Sequence, residues 1–319
     1  MIPERNIAQR LLQRHSLSPP IDVEVFARHY ADIEDELLPN GVDGILYYPP
    51  QKRPLIILDT SQHPNRRRFT IAHELGHIFI PWHVGTIGCH ADQPTLGDDP
   101  YWQCEMESNS FASELLMPSR WLQSIVDSSI KKTMAAIMQE VRTAKTSDGA
   151  ICIALCQILP PGYLFAEVSK DGTVLLSALS KGTAVHALSR GQQIPDEFGH
   201  GVSTRESIVS GSKIIHWWHF ERGPVSFDDI SESSSEILNA ILRRHYSEPN
   251  LVKIRQQING IIGSANNSFR SSLPEDLFHC FRDRFVGRPS LRLVIQDPLF
   301  DRFLRAKSLE VAARAVEKG

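Results

Sequence analysis

Two histidines separated by three residues are the first feature of this sequence that could do chemistry. On a helix, His73 and His77 would lie one turn apart on the same face, so that both rings can meet a single metal ion. Glu74 follows the first histidine and would project about 100° around the helix. A carboxylate placed there can take a proton from water at the metal. The motif therefore predicts a zinc site with Glu74 as its general base.

A catalytic zinc ion needs three protein ligands, and two candidates compete for the third place. His83 follows His77 by six residues, the spacing of a longer motif in which a third histidine binds the metal. That motif needs a glycine where this chain has Ile80, and a β-branched residue resists a positive φ. The other candidate is Glu105 on a following helix. Asn109, one turn after it, could orient a ligating histidine.

Glu107 is the alternative carboxylate, but it lies two residues further around the same helix and would face elsewhere. Taken alone, either glutamate is typical of a solvated side chain at the start of a helix, where the helix dipole favours negative charge. Beside a His-Glu-x-x-His helix without a third ligand, Glu105 is the better interpretation.

The two motifs together resemble the ImmA/IrrE family of bacterial zinc metallopeptidases. Residues 68–77 read Arg-Phe-Thr-Ile-Ala-His-Glu-Leu-Gly-His, and residues 105–118 read Glu-x-Glu-x-Asn-x-Phe-Ala-x-Glu-Leu-Leu-Met-Pro. The resemblance covers roughly residues 1–125, with Ser108 where the family commonly has alanine. It implies that zinc is bound by three side chains and that one carboxylate is the catalytic base: His73, His77 and Glu105 as ligands, and Glu74 as base.

The resemblance also implies a substrate. Members of this family are site-specific endopeptidases that act on a helix-turn-helix repressor, often encoded nearby, so that cleavage releases a stress or mobile-element response. The donor that stabilises the tetrahedral oxyanion stays open among His83, His90 and Tyr101. We expect the strand predicted at residues 41–48 to present an edge to an extended substrate.

Two other functions compete with an active peptidase. One is a metal-bearing regulatory protein that binds a repressor or other partner without cleaving it; the intact Glu74 counts against this, since such a protein needs no base. The other is a toxin-like or accessory protein in which the C-terminal half acts. Beyond the two motifs, Cys152 and Cys156 are better interpreted as small core residues than as a metal pair. Trp217 and Trp218 are better interpreted as a core cluster than as a ligand platform.

Composition sets the broad class of the protein. The 319 residues are 41% hydrophobic and 22% charged, as in globular domains, and the net charge of -3 favours neither nucleic acid nor an anionic membrane. The sequence contains neither a secretory signal nor an apolar run of membrane-spanning length. The five cysteines form no dense framework. We therefore expect a cytoplasmic protein without direct nucleic-acid or membrane binding; no pattern indicates an oligomeric state.

The periodicity predicts an α+β fold. A zincin-like metallopeptidase domain of helices and a short sheet is expected at residues 1–125. A mixed α/β region would follow at 126–230 and a helical region at 231–319. In the first domain, a helix at residues 65–80, capped by Asn65, would carry the histidines, and a long loop at 82–101 would follow it.

Overall fold

The computed structural model describes most of the chain, in ten stretches: 2–83, 87–90, 100–128, 133–185, 187–194, 204–220, 222–248, 250–269, 271 and 273–316. At 87–90, 100, 101 and 316 it describes the backbone alone. The chain divides into two compact units, Met1–Ile158 and Leu159–Gly319. Each unit combines helices with one four-stranded sheet, so the predicted α+β class is confirmed. The finer division with boundaries after residues 125 and 230 stays a prediction.

The N-terminal unit is built from seven α-helices and four strands among the described residues. The helices are α1 (Pro3–Arg14), α2 (Val23–Arg28), α3 (Pro64–Phe79), α4 (Pro100–Leu116), α5 (Ser119–Asp127), α6 (Met134–Val141) and α7 (Asp148–Ile158). The strands are β1 (Asp32–Glu36), β2 (Val42–Tyr47), β3 (Leu55–Asp59) and β4 (Ile87–His90). Their order in the sheet is β1-β3-β2-β4, with β1 parallel to β3 and the other pairs antiparallel.

Strand β2 lies inside this sheet and has neighbours on both sides. Gly44, for example, pairs with Leu58 of β3 on one side and with Cys89 of β4 on the other. The prediction that residues 41–48 present an edge to a substrate is therefore wrong. The physical reason is that β4, which belongs to the segment predicted as a loop, occupies the hydrogen-bonding groups on that side.

Helix α3 begins one residue earlier than predicted, because Pro64 has the φ that a first helical residue needs. The N-cap is His63, whose Nδ1 accepts the backbone N–H of Asn65 at 3.3 Å. The prediction that Asn65 is the cap is therefore wrong; its side chain instead donates to the carbonyl of Thr146 at 3.3 Å.

The apolar face of α3 is buried in the core of the unit, against α2, the sheet and α4. Its buried apolar residues are Ile71, Ala72 and Leu75. Gly76 faces α4, where a Cβ would lie 3.1 Å from the Cα of Ser108. The lack of a side chain at Gly76 therefore lets the backbone of α4 come close to α3.

The C-terminal unit contains an antiparallel sheet and a helical region. The strands are β5 (Tyr163–Val168), β6 (Val174–Leu179), β7 (Thr204–Ser210) and β8 (Lys213–His219), in the order β6-β5-β8-β7. The helices are α8 (Ser234–His245), α9 (Asn250–Ser268), α10 (Pro274–Arg284), α11 (Arg292–Ile295) and α12 (Phe300–Val316). Within the part of the chain that the structure describes, no helix combines the length and apolarity that a membrane crossing requires.

Four side chains that could have suggested further sites are core residues. Cys152 and Cys156 are buried in α7, and burial raises the pKa of the Cys156 thiol to about 12. Trp217 and Trp218 are each 1% exposed in β8. The interpretation of both pairs as packing residues is confirmed.

Candidate metal centre

Helices α3 and α4 bring three donor atoms together inside the N-terminal unit. The Nε2 atoms of His73 and His77 lie 3.1 Å apart. Glu105 places Oε2 3.3 Å from the first of these nitrogens and Oε1 3.4 Å from the second. All three residues are buried. Among the described residues, these two histidines and this glutamate form a group whose ligand atoms lie close enough together to hold one metal ion.

The spacing and chemistry of these donors fit a small divalent metal ion. Donors about 2.0–2.1 Å from one ion and at tetrahedral angles lie roughly 3.3 Å from each other. The three separations, 3.1, 3.3 and 3.4 Å, agree with that value. Two imidazoles and one carboxylate are a ligand set that zinc accepts in hydrolytic enzymes. Three protein donors also leave one tetrahedral position open.

The orientation of His73 is set from α4. Its Nδ1 lies 3.0 Å from Oδ1 of Asn109, one turn after Glu105. An amide oxygen only accepts hydrogen bonds, so His73 carries a proton on Nδ1, and in the neutral ring the lone pair is on Nε2. The expectation that Asn109 bonds one of the two histidines is therefore confirmed.

The electrostatics of the group reflect its burial. Burial lowers the pKa of His77 to about 4, although the nearby carboxylate of Glu105 opposes the shift. Burial alone would raise the pKa of Glu105, but the facing rings of His73 and His77 outweigh it and lower this pKa to about 2. The carboxylate is thus charged and His77 neutral near pH 7, which are the forms that bind a metal ion.

Glu74 lies beside the three donors and is fully buried. Its carboxylate faces β2 at Gly44, where a Cβ would stand 2.8 Å from Oε1 of Glu74. Burial raises the pKa of Tyr48, the residue that follows β2, and the negative charge of Glu74 raises it further. A buried carboxylate next to a candidate metal ligand is compatible with the general-base role predicted from the sequence.

His83 and Glu107, the two rejected ligand candidates, lie outside the group of three donors. His83 contacts His77 through the opposite ring nitrogen, with Nδ1 to Nδ1 at 3.0 Å. Its own Nε2 lies 2.9 Å from Oε2 of Glu107. Both ring nitrogens of His83 are therefore engaged. The side chains of His90 and Tyr101, the other oxyanion candidates, lie outside the described residues.

The close approach of Glu74 to Gly44 was not predicted from the sequence. An isolated glycine inside a strand pattern often marks a close backbone approach, so a signal was present in the residues 41–48. Only the fold shows that the approaching group is the carboxylate of Glu74.

We expect Gly44→Ala to impair catalysis while the metal is retained. The added methyl group would stand 2.6 Å from Cγ2 of Thr70 and 2.8 Å from Oε1 of Glu74, so one of them must move. Overpacking of this kind costs about 1–3 kcal/mol. Cleavage rate, zinc content and thermal midpoint are the measurements. Gly260→Ala is the control, because a Cβ there has open space. Unchanged cleavage by Gly44→Ala would show that Glu74 tolerates the displacement.

Comparison of the chain with known proteins finds similar metallopeptidases. The model of the IrrE N-terminal-like domain, peptidase family M78, matches residues 28–140, which include all three donors and Glu74. The radiation response metalloprotease IrrE of Deinococcus deserti is 24% identical over 242 residues, covering 68% of this chain and 84% of that protein. A solved Mycobacterium tuberculosis transcriptional regulator aligns at 14% identity with a TM-score of 0.42, covering 68% of this chain and 87% of its own. The match over residues 28–140 and the similarity to this metalloprotease support membership of the ImmA/IrrE family of metallopeptidases, peptidase family M78.

Proposed function

We propose that this protein is a cytoplasmic zinc-dependent endopeptidase that cleaves a helix-turn-helix repressor and thereby releases a stress or mobile-element response. One observation carries the chemical part: three buried donors stand 3.1–3.4 Å apart with the carboxylate of Glu74 beside them. The substrate class rests on the resemblance to the ImmA/IrrE family. The name of the Deinococcus deserti relative, a radiation response metalloprotease, supports a role in stress.

Each residue of the centre has a distinct task in this proposal. His73, His77 and Glu105 would hold the metal, with Asn109 fixing the ring of His73. A bound zinc ion supplies Lewis-acid chemistry, which makes water acidic enough to yield hydroxide near neutral pH. Glu74 accepts the proton that water releases on attacking the scissile carbonyl, and then passes it to the departing amine. Because Glu74 is buried, this proton is not lost to bulk solvent between the two steps.

The test is cleavage of purified helix-turn-helix repressors, beginning with those encoded beside the gene for this protein. We expect zinc-loaded protein to cut one of them at a single site, giving two fragments by mass spectrometry. Removing the metal with a chelator should stop the reaction, and added zinc should restore it, because three of the proposed active-site residues serve only the ion. Binding of a repressor by the zinc-loaded protein without any cleavage would favour the non-cleaving regulator instead.

A further inference from the structure

The two ring nitrogens of His77 have different neighbours. Nε2 faces the donors of the metal centre, 3.1 Å from Nε2 of His73 and 3.4 Å from Oε1 of Glu105. Nδ1 faces away from them and lies 3.0 Å from Nδ1 of His83. The series continues outward, because Nε2 of His83 lies 2.9 Å from Oε2 of Glu107. The side chains of His77 and His83 therefore connect the metal centre to the carboxylate of Glu107 on α4.

The series ends at the carboxylate of Glu107, which also accepts hydrogen bonds from other side chains. Besides His83, Glu107 accepts hydrogen bonds from Nε1 of Trp82 and, at 2.8 Å, from Nε2 of Gln103. The His83 side chain is completely buried and that of Glu107 is 16% exposed. An ionised carboxylate only accepts hydrogen bonds, so the nitrogen of His83 that faces it must carry a proton.

This proton determines where the next one lies. A neutral imidazole has one N–H, so protonation of His83 at Nε2 leaves its Nδ1 as an acceptor. Ser108 does not take over this acceptor, since its Oγ is 3.5 Å away, whereas Nδ1 of His77 is at 3.0 Å. His77 must then donate from Nδ1, and its Nε2 keeps the lone pair that faces the metal centre. The opposite order would put a proton on Nε2 of His77 and block that ligand.

We propose that His83 and Glu107 are positioning residues that fix the proton on Nδ1 of His77 and hold its ring in the orientation that a metal ligand needs. This inference rests on the proposed function, since it takes His77 as a ligand. Each histidine of the centre then has an outer partner on α4: Asn109 directly for His73, and Glu107 through His83 for His77. Such outer partners usually raise metal affinity about 10–100-fold.

The test uses His83→Phe and Glu107→Ala in the full-length chain, with His29→Phe as control. At position 83, phenylalanine preserves a buried ring but can neither accept nor donate a hydrogen bond. The control makes the same substitution at His29, which is exposed at the end of α2 and far along the chain from the centre. Zinc affinity is measured by competition with a chromophoric chelator. We expect both variants to bind zinc in a 1:1 ratio but about 10–100-fold more weakly, with the control unchanged.

Proton NMR of the cobalt-loaded protein gives a second reading that a merely structural role would not change. Ligating imidazoles then show shifted, exchangeable ring N–H signals, one from His73 and one from His77, and Asn109→Ala identifies the former. We expect His83→Phe and Glu107→Ala to speed the exchange of the His77 signal alone. Unchanged zinc affinity and unchanged signals in both variants would overturn the inference and leave the proposed function intact. Wild-type protein that binds neither zinc nor cobalt would overturn both.

Discussion

Glu74→Gln should abolish most of the peptidase activity while the protein keeps its zinc. Glutamine has nearly the same shape as glutamate, so it can occupy the fully buried position of Glu74 against β2 without a new clash. What it lacks is a basic oxygen that can accept a proton from water. Positioned general acid–base groups contribute about 10²–10⁴-fold to rates. We therefore expect kcat/KM for repressor cleavage to fall by roughly that factor.

Zinc content must be measured on the same preparations, because a variant that had lost its metal would also be inactive. The three donors do not include Glu74, so the zinc content of Glu74→Gln should equal that of the wild type. Glu34→Gln on the exposed strand β1 is the matched control, since it makes the same chemical change away from the centre. Cleavage that continues unchanged in Glu74→Gln would refute the role assigned to this carboxylate.

The elements with strong periodic patterns were predictable from sequence. The helix with both histidines and the strand at residues 42–47 were expected within one or two residues of their observed ends. These segments bury one face, and burial of one face leaves a regular spacing of apolar residues. Strand β1 was not predicted, because its sequence Asp-Ile-Glu-Asp-Glu has almost no apolar residue and its side chains face solvent at the sheet edge.

The surroundings of the centre were less predictable than the three converging donors. The choice of Glu105 used helical spacing and the family resemblance, both of which can be read from the chain. The contact between His83 and His77 depends on how the backbone turns after Ile80, and no local pattern encodes that path. In the same way, β2 was expected at an edge because its second neighbour, β4, is only four residues long. Short strands in irregular segments carry too few residues for a pattern.

Glu105→Ala should remove the metal itself, which is a larger loss than either outer partner can cause. The change takes away one of three converging donors and the negative charge that accompanies them, so that only two imidazoles remain. We expect zinc affinity to fall by far more than the roughly 10–100-fold that outer partners contribute. The protein should be purified without zinc, and its activity should be lost together with the metal.

Glu107→Ala is the matched comparison, because it removes a carboxylate from the same helix two residues away. That variant, like His83→Ala, should still bind one zinc ion, although more weakly. The order of the losses is what discriminates between the ligand sets. If His83→Ala lost zinc while Glu105→Ala retained it, the longer histidine motif would be correct and Glu105 would not be a ligand, despite its oxygens lying 3.3 and 3.4 Å from the two histidines. If Glu105→Ala alone lost zinc, metal binding would depend on α4, and Glu74→Gln would then separate binding from proton transfer.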